Sequence, residues 1–202
     1  MNNGARERAL SFRRELTRKA LHLSSATIPI ALASGATRAV TLPVLGVLAV
    51  AAIMVEIMRA MSPTAASRFE ASVRPLLRPH EAQRITGATW LIVSMFAAVL
   101  LLPRNIAIAA TWAAAVGDAA AALIGMRFGR LRSYRDGKSL EGSGACLIAT
   151  FIGAVTLAHL AFTVALLASL AATIGERLPW PRDDNARIIA LVSIIVLIAA
   201  AL

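Results

Sequence analysis

Residues 118–142 read DAAAALIGMRFGRLRSYRDGKSLEG. An apolar helix with one acid at its head and a ladder of small residues runs into a loop dense in Arg, Lys, Gly and Ser, which ends on a second acid. This is the pattern of a membrane helix meeting water. Gly117, Ala121, Gly125 and Gly129 recur every fourth residue, so they share one helix face and let a neighbouring backbone come close. Asp118 lies one step round from that ladder, within a run otherwise apolar from Asn105 to Met126. A carboxylate inside a membrane span costs about 2.5–3.5 kcal/mol even on lenient insertion scales. Asp118 therefore calls for a partner cation, a metal or a wet cavity. An acid that merely pairs with an arginine between helices is the plainer alternative, but intramembrane acids are functional by default.

The loop holds what phosphate binding needs. Arg127, Arg130, Arg132, Arg135 and Lys138 supply positive charge, and Gly129, Gly137, Gly142 and Gly144 allow tight turns whose N–H groups cradle an anion. Ser139 adds a hydroxyl and Glu141 a hard oxygen ligand suited to Mg²⁺. The GKS triplet is not a Walker A loop, because the upstream glycine at the required spacing and the preceding strand are both missing. Cytoplasmic anchoring would explain the arginines but not Glu141 or the glycines.

With 58% apolar residues and a mean hydropathy of +0.71, the chain is an integral membrane protein, all-α, a polytopic bundle of about seven helices. The stretch to Lys19 is too charged for a cleaved signal peptide, so the first span is expected to stay. Spans are expected at Ala20–Thr37, Ala39–Met58, Ile85–Leu102, Asn105–Met126 and Ile188–Leu202. The run from Gly142 to Gly175 carries no formal charge. At about 1.5 Å per residue it far exceeds a core of about 30 Å, so it divides near His159 into two. With a cytoplasmic N terminus, nineteen Lys and Arg fall inside and two, Arg38 and Arg104, outside, a strong positive-inside bias.

One membrane domain therefore fills residues 1–202. Cytoplasmic parts are a basic N-terminal helix (1–19) and loops at 59–84, 127–141 and 176–187. In the first loop Arg68, Arg74 and Arg78, among prolines 63, 75 and 79, suit an interfacial helix that attracts anionic headgroups. The formal charge of +10 sits in these loops, which argues against a nucleic-acid partner and for membrane lipids. The single cysteine, Cys146, excludes an internal disulfide and a thiolate metal cluster.

Three further polar groupings face the same side. In RRELTRKALH, Glu15, Lys19 and His22 share a helical face, where a Glu–Lys staple and membrane anchoring compete with a site role. Glu56 and Arg59 are spaced for an i, i+3 pair at the end of the second span, as fit for a structural bridge as for a site. Glu176 and the Asp183–Asp184–Asn185 run bring oxygens suited to hard cations, although Asn185 equally suits a helix cap. His159 belongs to the opposite face.

At these residues the chain resembles the CTP-dependent lipid kinases, the family of dolichol kinase, phytol kinase and the CTP-using diacylglycerol kinase. The likeness rests on D-x-x-A-x-x-x-G-x-x-x-G followed by K-[ST]-x-E-G, which falls on Asp118, Ala121, Gly125, Gly129, Lys138, Ser139, Glu141 and Gly142. It extends to E-x-x-R-K-x-x-H at Glu15, Arg18, Lys19 and His22, to E-x-x-R at Glu56, and to Glu176 with Asp184–Asn185. Where dolichol kinases tend to carry two lysines before the hydroxyl residue, this chain has Gly137 and Lys138. The resemblance implies transfer of the γ-phosphate of CTP to a lipid alcohol, with Mg²⁺, at the cytoplasmic face. Asp118, Lys138 and Glu141 are the expected catalytic groups. Lys19, His22, Arg127, Gly129, Arg130, Ser139 and Gly142 are expected to bind nucleotide phosphates, and Asp118, Glu141, Asp184 and Asn185 the metal. Glu15, Glu56 and Glu176 are secondary candidates. A phosphatidate cytidylyltransferase is the nearest rival, and an ion- or proton-coupled transporter relaying through Asp118 a more distant one.

Overall fold

The computed structural model describes residues 15–74, 76–77, 81, 84–133, 137–178 and 183–201, and within these the chain is helical throughout apart from its turns. Where a strand would be, there is only a lone antiparallel bridge between Arg132 and Ser139. Helix α1 (residues 15–24) gives way at a turn over Ser25–Ala26 to α2 (Thr27–Ala33), where Pro29 sits in the first turn and forfeits no intrahelical bond. Gly35, with φ of 107°, then reverses the chain. Helix α3 (Arg38–Met61) is followed by α4 (Pro63–Val73), which Ser62 caps by accepting from the Ala65 N–H at 3.2 Å, with Pro63 at the first helical position.

Helix α5 (Gly87–Leu101) begins on a Thr86 cap. The next 25 residues form one long helix, made of α6 (Arg104–Trp112), a π-turn over Ala113–Gly117, and α7 (Asp118–Phe128). Helices α8 (Leu140–Thr156), α9 (Phe162–Arg177) and α10 (Asp184–Ala201) complete the bundle. The charge-free run is interrupted between α8 and α9, and His159 turns the chain there with φ of 52°.

Each expected span falls on one of these helices, the first on α1 and α2 together. Three are long and apolar enough to cross a membrane: α3, the composite Arg104–Phe128 and α10. Others are shorter, 15 residues in α5 and 17 in α8. Helix α4 occupies the loop where an interfacial helix is expected, and none of its side chains is buried; Arg78 lies outside the described residues.

The composite helix is the axis of the bundle, with α2, α5, α8, α9 and α10 packed around it. Its middle is built from alanines: Ala109, Ala110 and Ala113 to Ala115 are wholly enclosed, and only residues this small admit so many neighbouring backbones. The small-residue ladder works as its spacing implies. A Cβ on Gly117 would stand 2.5 Å from Thr150 Oγ1, and one on Gly142 would stand 2.6 Å from the Ala121 carbonyl oxygen and 3.2 Å from Gly125 Cα. Helices α7 and α8 therefore meet backbone to backbone. The outside of the bundle is greasy, with Val40, Val47, Met54 and Met61 of α3 all exposed, as a lipid-facing surface must be. At the end away from the acids, Arg38 donates to the Leu102 carbonyl and Arg104 to that of Leu32, cations closing helix C-termini.

Candidate functional site

Asp118 heads α7 just after the π-turn, where its own N–H reaches back to the Ala113 carbonyl. The wider turn directs the carboxylate toward α1. There Lys19 donates directly to Asp118 Oδ2, and His22 Nε2 stands 3.5 Å from the same oxygen. His22 Nε2 also donates to the Ala114 carbonyl inside the π-turn, at 2.9 Å. Lys19 and Asp118 are 4% and 7% exposed, so each charge is tolerated only because the other is present. The partner cation that Asp118 required is Lys19, 99 residues earlier. Glu15, placed by its spacing to staple Lys19, pairs instead with Arg18.

This pair borders a cavity of ≈540 Å³. Arg18, Lys19, His22, Asp118, Asp183, Asp184 and Asn185 give it a charged end, and Leu45, Leu91, Ile92 and Met95 give it apolar walls. Asn185 is itself buried, its Oδ1 is enclosed without a hydrogen-bond partner, and its N–H donates to Asp183 Oδ1 at 2.9 Å.

Lys138 sits one step behind. Its ammonium lies 3.0 Å from Glu176 Oε1 and 3.6 Å from Asp184 Oδ2, and it donates to the Glu176 carbonyl as well. It thereby ties the end of α9 to the start of α10. Arg187 pairs with Asp184 from the other side and donates to the Gly175 carbonyl at 3.2 Å. Lys138 thus touches a cavity residue, Asp184, without lining the cavity itself.

The remaining loop residues have mostly local partners. Glu141 Oε1 accepts from the backbone N–H groups of Arg130 at 2.9 Å and Leu131 at 3.3 Å, and the Arg130 donation holds this carboxyl below the usual carboxylate range. Ser139 caps α8 by accepting from the Gly142 N–H at 3.0 Å. Gly129 fits closely beneath Ser139, since a Cβ there would stand 2.6 Å from its Oγ. Arg127 and Arg130 are exposed, Arg127 over the Phe128 ring at 5.5 Å. None of these five residues, nor Glu141, borders the cavity; Arg135 lies outside the described residues.

Glu56 is fully engaged. Its Oε1 accepts from the Thr86 N–H at 2.9 Å, the Thr86 hydroxyl at 2.8 Å and the Thr89 hydroxyl at 2.9 Å, while Oε2 takes Arg59 at 2.5 Å. It anchors the N-terminus of α5 to α3. One acid that the sequence reading does not name, Glu81, joins the site, and Asp183 of the acidic run joins it beside Asp184. Glu81 accepts from the Gly87 N–H at 2.9 Å and lines the cavity, and Asp183 Oδ2 lies 2.8 Å from where a Gly87 Cβ would be. Their signal in the sequence is an acid just ahead of each of two helices, α5 and α10.

Among the described residues no three His, Cys, Asp or Glu side chains converge to hold a metal by themselves. Asp118, Asp183, Asp184 and Asn185 nonetheless line one cavity. Mg²⁺ typically takes one or two protein carboxylates, keeping its other positions for water and substrate phosphates. This donor set suits a cation that keeps most of its positions for other ligands. Comparison with protein-family models, with curated proteins and with solved structures found no match to this chain.

Proposed function

We propose that the chain is a membrane lipid kinase, transferring the γ-phosphate of CTP to the hydroxyl of a lipid alcohol such as a polyprenol, a phytol-like prenol or diacylglycerol. The observation that carries this reading is the two-sided cavity of ≈540 Å³, with ionised groups of α1, α7 and α10 at one end and apolar side chains of α3 and α5 along the rest. Such a space suits an amphiphile whose reactive group is polar and whose body is not. CTP as the donor rests on the resemblance of Asp118–Gly142. In this reading the bundle crosses the membrane seven times with a cytoplasmic N terminus, in keeping with the nineteen-to-two division of basic residues.

Phosphoryl transfer asks a protein chiefly to position its reactants and neutralise charge. Arg127 and Arg130, exposed at the end of α7, draw the triphosphate from water. Lys19 and His22 meet the transferred phosphate, which takes the place of Asp118 beside the Lys19 ammonium. Asp118 then either accepts the hydroxyl proton or takes a position on the Mg²⁺ that accompanies CTP, and Asp184 and Asn185 hold that cation. Lys138 and Glu176 fix Asp184 from behind, and Glu141, with Ser139, Gly129 and Gly142, fixes the loop.

Purified protein incubated with CTP and a panel of prenols and diacylglycerol tests the assignment. A kinase puts the γ-label on lipid. Label from the α position would indicate a cytidylyltransferase, and no lipid label from either position removes the kinase reading.

A further inference from the structure

Helices α2 and α3 are consecutive, yet α2 packs on α6 and scarcely touches α3, which packs on α5 and α4. The cavity beside them reaches the surface between α1 and α3. Its lips are Leu21 and Leu48, 54% and 46% exposed, and both border the cavity. The cavity's apolar wall runs along α5 from Gly87 to Met95. Those eight residues span about 12 Å, the length of roughly ten methylene groups at ordinary C–C bond lengths. Met95 and Leu45, 1% and 2% exposed, close the inner end.

The geometry points to a slot for one hydrocarbon chain. A single-chain lipid alcohol slides sideways from the bilayer between Leu21 and Leu48, lays its first ten or so carbons along α5, and stops at Met95 with its hydroxyl beside Lys19 and Asp118. Three observations select this occupant. The lips are apolar and exposed, the slot is charged and buried where the hydroxyl lies and apolar where it closes at Met95, and ≈540 Å³ must also admit a phosphate group, which leaves room for one chain. The inference deepens the lipid-kinase reading by naming the acceptor class and its residues, and it rests on that reading only for the identity of the hydroxyl's partner.

The test uses the whole chain in nanodiscs without nucleotide, so that binding is read apart from transfer. A primary alcohol carrying a diazirine near its tenth carbon is photolysed and its adducts are mapped by mass spectrometry. Adducts are expected on α5 near Met95 and on α3 near Leu45, competed by unlabelled alcohol but not by the matching alkane, and less well by diacylglycerol. Leu48→Trp, at an exposed lip where folding is not at stake, should cut those adducts at least fivefold, as should Met95→Trp at the closed end. Adducts confined to outward-facing residues such as Val47 and Met54, adducts competed equally by the alkane, or full labelling in Leu48→Trp would each overturn the slot. Labelling as expected with no γ-transfer would sink the kinase reading and leave the slot standing. Transfer that persists with the slot unlabelled would do the reverse.

Discussion

The buried pair of Lys19 and Asp118 permits a quantitative test that needs no substrate. Its side chains are 5% and 10% exposed, so solvent screens it little, and removing one member strands the other. Breaking a buried ion pair from one side costs about 3–5 kcal/mol, whereas replacing both members with apolar groups of similar volume is often neutral. Lys19→Met and Asp118→Leu should therefore each be severe. At about 2–4 °C per kcal/mol for a chain of this size, each should lower the melting temperature by roughly 6–20 °C. The double variant should recover most of that loss, with a coupling of about 2 kcal/mol or more in a double-mutant cycle. The assay is thermal unfolding in one detergent, followed by tryptophan emission. Two single losses that simply add in the double variant would show that the charges do not meet, and the account of the site would fail with them.

Other perturbations follow from contacts already described. Gly142→Ala drives a methyl into the Ala121 carbonyl and toward Gly125 Cα, so it should destabilise the α7–α8 contact by about 1–3 kcal/mol; Gly144→Ala, with nothing within 4 Å, is the control and should melt like the parent. Glu56→Ala removes the carboxylate that ties α5 to α3 and should cost about 2–3 kcal/mol in thermal unfolding, while the KM for CTP in the surviving folded fraction stays unchanged. Lys138→Met should abolish phosphate transfer, because Glu176 and Asp184 lose the ammonium between them; near-normal turnover would remove Lys138 from the machinery. Asp118→Asn keeps shape and hydrogen-bonding capacity but not the charge that offsets Lys19, so it should stop transfer and lower the melting temperature by less than Asp118→Leu does.

Helix positions, and the need to break the run after Gly142, were legible because both follow from hydropathy and length. The small-residue ladder was legible for the same reason, since a period of four means one face whatever the neighbour. Partners were harder to read. Glu15 and Lys19 are spaced to pair, yet a buried carboxylate claims Lys19 from 99 residues away, and local spacing carries no trace of that claim. Glu56 resembles a site acid until Thr86, 30 residues on, presents its N–H. Ser139 and Gly142 look like a phosphate cradle, while a serine three residues ahead of a backbone N–H at a helix start is also an N-cap, and here it acts as one. Glu81 carries no distinguishing signal, because one acid before a helix is common.

The π-turn ahead of Asp118 has a consequence for how this chain tolerates change in length. Five residues per bonded ring in place of four amount to one surplus alanine, and one residue corresponds to about 100° of rotation around the axis. Deleting any one of Ala113, Ala114 or Ala115 would leave hydropathy almost untouched and restore regular winding. The wide turn already absorbs that rotation, carrying five residues through about the arc and rise of four α-helical ones, so α7 would keep its direction and its contact with α8, and the change would fall on the Ala114 carbonyl that meets His22. A one-codon deletion there is thus expected to spare helix packing and to act on the seat of His22 alone, an effect that no substitution scan would expose.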